Sequence, residues 1–276
     1  MKKAGILFLV LLFSAGFSSF GQIKLKGNKE VVSENRNISE FNKIEVIDNV
    51  EVLLVYNSNQ EVVVETDSNL QEAIETEVSN GTLTIKTNAK ILRKKELKIH
   101  IRVNSELTEL YAYNRAKVSS KNSLSIDSLT INAFDNADFD LKLNSKLVRI
   151  SGKRSSDIKI QALCEEVMIW TEEASTVKAT IDTDFMNVNC LDRSSITMEG
   201  TCDTFEIESM GNSAFKGRAF VTQTAMVNAA HSSDVYVNAV KNIDLQVKNS
   251  AEVYLYSDPK ITISEFFDKA SLYKRQ

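Results

Sequence analysis

Glu206 and Glu208 alternate along one stretch of chain, so a strand would project both carboxylates from a single face. Two neighbouring carboxylates are the machinery of glycoside hydrolysis, one as acid and the other as base or nucleophile. A lyase acting on acidic polysaccharides would add a lysine or arginine to remove a proton. About nineteen residues to either side, the matching places hold Asn187 with Asn189 and Met226 with Asn228, so no such base accompanies the pair. A solvated sheet face accounts for Glu206 and Glu208. A polysaccharide-processing enzyme is the alternative, by fold analogy alone.

The other reactive side chains are scattered. His100 and His231 lie far apart, and no His/Cys/carboxylate spacing resembles a zinc site. Asp135, Asp138 and Asp157 could attract Ca²⁺ from neighbouring turns, but the next copies place Arg154 and Thr176 there. There is no glycine-rich phosphate loop and no Ser/His/Asp arrangement. Three cysteines, Cys164, Cys190 and Cys202, are an odd count. Cys164 and Cys202 fall two repeats apart, near 10 Å if strands stack at about 4.8 Å, whereas a disulfide needs Cα atoms within about 7 Å. All three are therefore expected as buried, small, apolar fillers. No catalytic residue, no metal and no cofactor is expected.

These side chains hang on a repeat. Val118, Phe139, Ile158, Val177, Ile196, Phe215, Val235, Val253 and Leu272 recur 18 to 21 residues apart, most often 19. Two residues before each anchor stands Ala116, Ala137, Ser156, Ser175, Ser194, Ser213, Ser233, Ala251 or Ala270, never anything larger. Eight before it an apolar residue recurs, from Leu110 and Ile131 to Leu245, with only Ile263 displaced by one place. Alternation of this kind marks strands with one face inside. A unit of this length is too short for a propeller blade of roughly 40 residues. The surviving architecture is all-β, a parallel β-helix (β-solenoid) of about nine 19-residue coils over residues 106–276. Right-handed winding is expected from the crossover rule. The Ala/Ser position reads as a corner where only a small side chain fits. Asp258-Pro259 and Lys274-Arg275 are expected to guard the last edge.

The segment before the repeats is less regular. Lys2-Lys3, the apolar run Ile6 to Phe13 and Ser19-Phe20-Gly21 form a signal peptide over 1–21, implying export with cleavage before Gln22. Residues 22–35 read as a flexible lead-in, and 36–105 as an N-terminal β region capping or continuing the solenoid. Within it, Asp67-Ser68-Asn69 looks like the cap of a helical turn from Leu70 to Ile74. Asn80-Gly81 marks a hairpin. Lys86 to Lys98 is a basic loop, read as a solvated charged turn, with an anion or lipid site as the alternative.

Composition narrows the partners. The chain has 33 Lys plus Arg against 37 Asp plus Glu; without Lys2 and Lys3 the balance is 31 against 37, a net charge of −6. An acidic protein of this kind is not expected to bind nucleic acid. No stretch after the leader is apolar for the roughly 20 residues a membrane span needs. With the core on one face of each strand, binding must use the outward ladders. Tyr236, Tyr254 and Tyr273 stand one residue after successive anchors and form one candidate surface. Met168 and Trp170 form the other, an apolar break in an otherwise polar ladder. The tyrosines would either stack to support the coils or offer a platform for sugar rings.

Phe41-x-x-Ile44-x-Val46, the Asn80-Gly81-x-Leu83-x-Ile85 hairpin, the small-residue turns and Tyr256-Ser257-Asp258-Pro259-Lys260-Ile261 resemble the head GIN domain family. The resemblance covers about 36–276. It implies an exported, adhesin-like protein of the kind common in Bacteroidetes, located in the periplasm, at the outer membrane or outside the cell. Glycans or envelope proteins would be its partners. The family's motifs are structural and carry over no site residue. The sequence departs from the family's glycine-containing turns, as at Glu173-Ala174-Ser175. The expected function is non-enzymatic binding of a glycan or protein at the cell envelope, with a purely structural spacer as a further alternative.

Overall fold

The computed structural model describes residues 23–276, so the expected leader lies outside the described residues. From Asp138 to Val247 each turn of the solenoid is nearly one continuous strand. Asp138–Gly152, Asp157–Thr171, Thr176–Cys190 and Ser195–Met210 follow one another, each separated by a short corner. They pair in parallel, with Phe139 against Ile158, Ile158 against Val177 and Val177 against Ile196. The anchors therefore form one inward ladder, and the solenoid has about nine turns about 19 residues apart. The displaced Ile263 is a bulge: Leu245 pairs with Ile263, but Gln246 pairs with Glu265.

Within these long strands the buried phase reverses once. Phe139, Leu141, Leu143 and Ser145 are buried on odd numbers, then Val148, Ile150 and Gly152 on even ones. A one-residue change of phase re-aims the next side chains at the core, so the strand bends around it without a loop. That explains how nine glycines and one proline suffice for so many turns of chain.

The corners use another device. Asn114 and Arg115, Asp135 and Asn136, Glu173 and Ala174, and Asn249 and Ser250 all have positive φ. The amide of Ala116 donates to the Tyr113 carbonyl at 3.0 Å, and that of Ala137 to Phe134 at 3.1 Å. Two left-handed residues closed by this bond make a type I′ turn. Asn and Asp tolerate that conformation; Glu173 and Ala174 adopt it at the usual steric cost to an L-residue. The small residue after them points inward: Ala116, Ala137, Ser175 and Ser233 have no exposed surface. The serines also satisfy corner carbonyls. Ser175 Oγ donates to Glu172 O at 2.8 Å, Ser194 Oγ to Leu191 O at 2.5 Å, and Ser233 Oγ to Ser209 O at 2.9 Å.

The N-terminal region continues the rod out of sequence order. Lys43–Val46 and Glu51–Tyr56 pair in parallel with the first repeat, placing Ile44 beside Leu110 and Val52 beside Val118. Thr82–Thr87 and Leu97–Val103 then stack on the far side of that rung, with Leu83 beside Ile44 and Ile99 beside Val52. Antiparallel strands close the end. Glu61–Asp67 pairs with Leu97–Val103, Val31–Arg36 with Glu61–Asp67, and Ile74–Ser79 with Thr82–Thr87. Residues 23–36 are therefore not a loose lead-in; they contribute Lys24–Lys26 and Val31–Arg36. The latter forms an edge strand, and its polar outward residues concealed it in the sequence.

Asp67 corrects a second expectation. Ser68–Ala73 is a 3₁₀ helix, but Asp67 makes no side-chain cap hydrogen bond to it. Its fully buried carboxylate instead accepts the backbone N–H groups of Lys29, of Lys95 at 2.7 Å and of Glu96. Burial alone would raise its pKa; the donors from Lys95, Lys29 and Glu96 outweigh that and hold it below the usual carboxylate value. Gly27 packs so close that a Cβ there would lie 2.5 Å from the Asp67 carboxyl carbon.

At the opposite end no antiparallel strand closes the stack among the described residues. Lys260–Phe266 is exposed along all seven residues, although Ile261 and Ile263 occupy the inward ladders of the preceding turns. The expected edge guards serve other purposes. Lys274 Nζ pairs with Asp258 at 2.6 Å, and the Arg275 guanidinium lies over the Tyr254 and Tyr273 rings.

Candidate functional site

The outward face that carries Trp170 is built by strict register. Trp170 sits between Ser151 and Asn189, and Met168 between Arg149 and Asn187. One turn further, Asn187 meets Glu206 and Asn189 meets Glu208; beyond these lie Met226 and Asn228. Because every strand here is parallel and in phase, the face is a flat grid of side chains. Trp170 is 44% exposed, Met168 37% and Met226 48%.

Polar groups on this grid are already lined up. Asn189 Nδ2 donates to Asn187 Oδ1 at 3.2 Å, and Asn187 Nδ2 donates to Glu206 Oε2 at 3.1 Å. Trp170 Nε1 reaches Glu172 at 3.4 Å. Glu206 thus terminates a chain of amide hydrogen bonds. Glu208 makes no side-chain hydrogen bond among the described residues, and no lysine or arginine adjoins either carboxylate in the paired ladders. An indole beside amides and carboxylates can hold a ring of mixed polarity, with one face stacked and its hydroxyls hydrogen bonded.

The tyrosine ladder has a different geometry. Tyr236 and Tyr254 stack with centroids 4.3 Å apart and planes 7° from parallel, and Tyr254 and Tyr273 at 5.0 Å and 19°. The rings use their faces on one another, and Arg275 covers the stack at 5.0 Å from the Tyr254 centroid. The Tyr254 hydroxyl donates to Glu252, and this bond, with burial, raises the phenol's pKa. What remains outward is ring edges, so contact between coils accounts for this ladder more fully than contact with a ligand.

Met168 and Trp170 therefore lie together, and the three tyrosines lie together on a different ladder. A second aromatic group escaped the sequence reading. Tyr113 stacks on Phe134 at 5.0 Å, and Arg154 lies 5.8 Å from the Phe134 centroid. Its signal was an aromatic at the same corner position in two consecutive repeats. The cysteines are buried and unpaired; burial pushes Cys164 up to about 11 and Cys202 up to about 12, and it also raises Cys190. Those thiols are poor nucleophiles at neutral pH. Among the described residues no cluster of His, Cys, Asp or Glu could hold a metal ion, and no helix is long and apolar enough to cross a membrane.

Several solved structures share the fold. A "putative lipid binding protein" from Parabacteroides distasonis is 19% identical, with a TM-score of 0.67 over 92% of this chain and 100% of that one. A "putative adhesin" from the same species is 15% identical, with a TM-score of 0.66 over 91% and 100%. Another from Parabacteroides merdae is 14% identical, with a TM-score of 0.63 over 92% and 100%. Identities this low establish the fold alone. No curated protein matches the chain. The sequence matches a family model over residues 40–169 and 164–259, and the chain belongs to the family described as "Putative auto-transporter adhesin, head GIN domain".

Proposed function

We propose that the protein is an exported, non-enzymatic, adhesin-like module that binds a glycan at the cell envelope through the face around Trp170. The observation that carries this reading is the exposed indole beside Asn187, Asn189, Glu206 and Glu208 on one flat grid. Sugar rings present an apolar face and a rim of hydroxyls, which that pairing of groups suits. Membership of an adhesin-type family and the signal-like residues 1–21 support export. Glu206 engaged with the Asn187 amide, and no base adjoining either carboxylate in the paired ladders, favour binding over polysaccharide cleavage. Tyr236, Tyr254 and Tyr273 act in this reading as a brace for the last turns.

A glycan array probed with the protein and with Trp170→Ala tests it. Binding of neutral or weakly acidic glycans that falls at least tenfold in the variant is the expected result. A blank array, or binding indifferent to Trp170, would refute the assignment, and release of new reducing ends would favour the enzyme.

A further inference from the structure

The corner of one rung is expanded. In the rung formed by Thr82–Thr87 and Leu97–Val103, the usual four-residue corner is replaced by residues 88–96, which include the strand Lys90–Arg93. This strand pairs in parallel with Lys24–Lys26 and joins only that partner, forming a two-stranded ribbon apart from the main sheet. Between the ribbon and the neighbouring corners lies a cavity of about 790 Å³. That volume falls within the range of small-ligand sites, about 300–1,000 Å³.

The charge arrangement on the ribbon defies local rules. Lys24 pairs in register with Lys90, and Lys26 with Arg93. Like charges directly opposite one another weaken a strand pair. Lys90, Arg93, Lys94 and Arg115 line the cavity, and among the described residues none of them forms an ion pair. Lys94 keeps exposed surface, yet loss of water around its ammonium lowers its pKa, against Glu51 and Glu96, which raise it. Four cations without an ion pair, against the two carboxylates of Asp48 and Asp135, leave a local excess of positive charge in a protein whose overall charge is negative, which an anion would relieve.

The opposite wall identifies the kind of anion. Asn49, Asn114 and Asn136 line it, and their amides make no side-chain hydrogen bond among the described residues. Asp48 and Asp135 also lie there, the first accepting from Thr87 at 3.1 Å and the second paired with Arg154 at 2.8 Å. Free amides suit the ring hydroxyls of a saccharide, and Asp48 and Asp135 confine its anionic group to the basic side of the cavity.

We infer that this cavity binds acidic saccharides, whose carboxylate or phosphate meets Arg93, Lys94 and Arg115 while ring hydroxyls meet the asparagines. The site shares no residue with the Trp170 face, and it stands or falls independently of it.

Isothermal titration calorimetry tests it, with trigalacturonate and mannose 6-phosphate as acidic probes and a neutral galactose trimer as control. The expected result is heat from an acidic probe that depends on Arg93 and Lys94, whereas any heat from the neutral trimer does not depend on them. Affinity should fall at least tenfold in 0.5 M NaCl and in Arg93→Ala/Lys94→Ala. Unchanged thermal unfolding of the double variant separates loss of binding from loss of fold, and the salt series on the unaltered protein needs no variant. No heat from either acidic probe, an equal loss of neutral-trimer binding in the double variant, or an unaffected double variant overturns the inference. Sedimentation with phosphatidylglycerol vesicles in the absence of saccharide binding overturns it in favour of a membrane contact.

Discussion

At one end of the rod, Glu61–Asp67 and Ile74–Ser79 pair antiparallel with the outermost rung, Val31–Arg36 pairs in turn with Glu61–Asp67, and Val62 and Val64 are completely buried. At the other, Lys260–Phe266 continues the parallel stack and stops, leaving Ile261 44%, Ile263 52% and Phe266 41% exposed. The closed end departs from the repeat almost everywhere; the open end keeps it. Repetition is self-supporting between neighbours but cannot terminate itself, because every rung presents the same edge and the same apolar inward face. Termination requires residues with individual partners, as Asp67 has in three backbone amides from two segments. The expanded corner and its basic cavity are also at the closed end, where departures from the repeat bring distant segments together.

The contrast can be probed at equivalent places. Leu245 and Ile263 pair in register, one with no exposed surface and the other half-exposed. Leu245→Lys buries an unpaired charge and should destabilise the protein by about 4–5 kcal/mol or prevent folding. Ile263→Lys should stay within about 0.5 kcal/mol in urea denaturation. Equal effects would erase the distinction between the ends.

Asp67→Ala leaves three backbone donors without their charged acceptor and should cost roughly 3 kcal/mol, read from the same denaturation curves. Its pH dependence has a definite sign. The folded-state pKa lies below the 3.8 of an ordinary aspartate, so the carboxylate stabilises the fold fully above that value. This contribution is lost as pH falls through the lower, folded-state pKa. Acid titration should therefore narrow the gap between the protein and Asp67→Ala below about pH 4, a value set by the unperturbed carboxylate. A gap constant to pH 2 would contradict the clamp.

The tyrosine ladder gives the smallest effect. Tyr254 is stacked on both sides, Tyr273 on one. Tyr254→Ala should cost about 1 kcal/mol more than Tyr273→Ala, one ring contact's worth. Equal costs would mean that the stack adds nothing between coils.

How much of this was written in the sequence follows the same divide. The anchors, the Ala/Ser corners and the slip at Ile263 were legible because each rung repeats the demands of its neighbour. Even Glu173-Ala174, without glycine, takes the corner geometry imposed by the rungs beside it. The out-of-order stacking was not legible: Ile99 pairs with Val52 across 47 residues, with two strands, a 3₁₀ helix and a hairpin between them. Asp67 had the local signature of a helix cap, and only partners at Lys29 and Lys95 reveal it as a clamp. Met168 and Trp170 stood out as apolar breaks in a polar ladder. The basic loop stood out by composition, but its cavity depends on Arg115 and Asn136, which local pattern does not connect to it.

Amide hydrogen exchange on the unmodified protein tests the difference between the ends most directly. It reports the opening free energy of each strand under native conditions. The amides of Leu97–Val103, covered on both sides by Glu51–Tyr56 and Glu61–Asp67, should be among the slowest in the chain. Those of Lys260–Phe266 and Ser271–Lys274, each with a strand on one side only among the described residues, should exchange at least a hundredfold faster, a difference of about 2.7 kcal/mol. Protection at Lys260–Phe266 equal to that at Leu97–Val103 would contradict an open end.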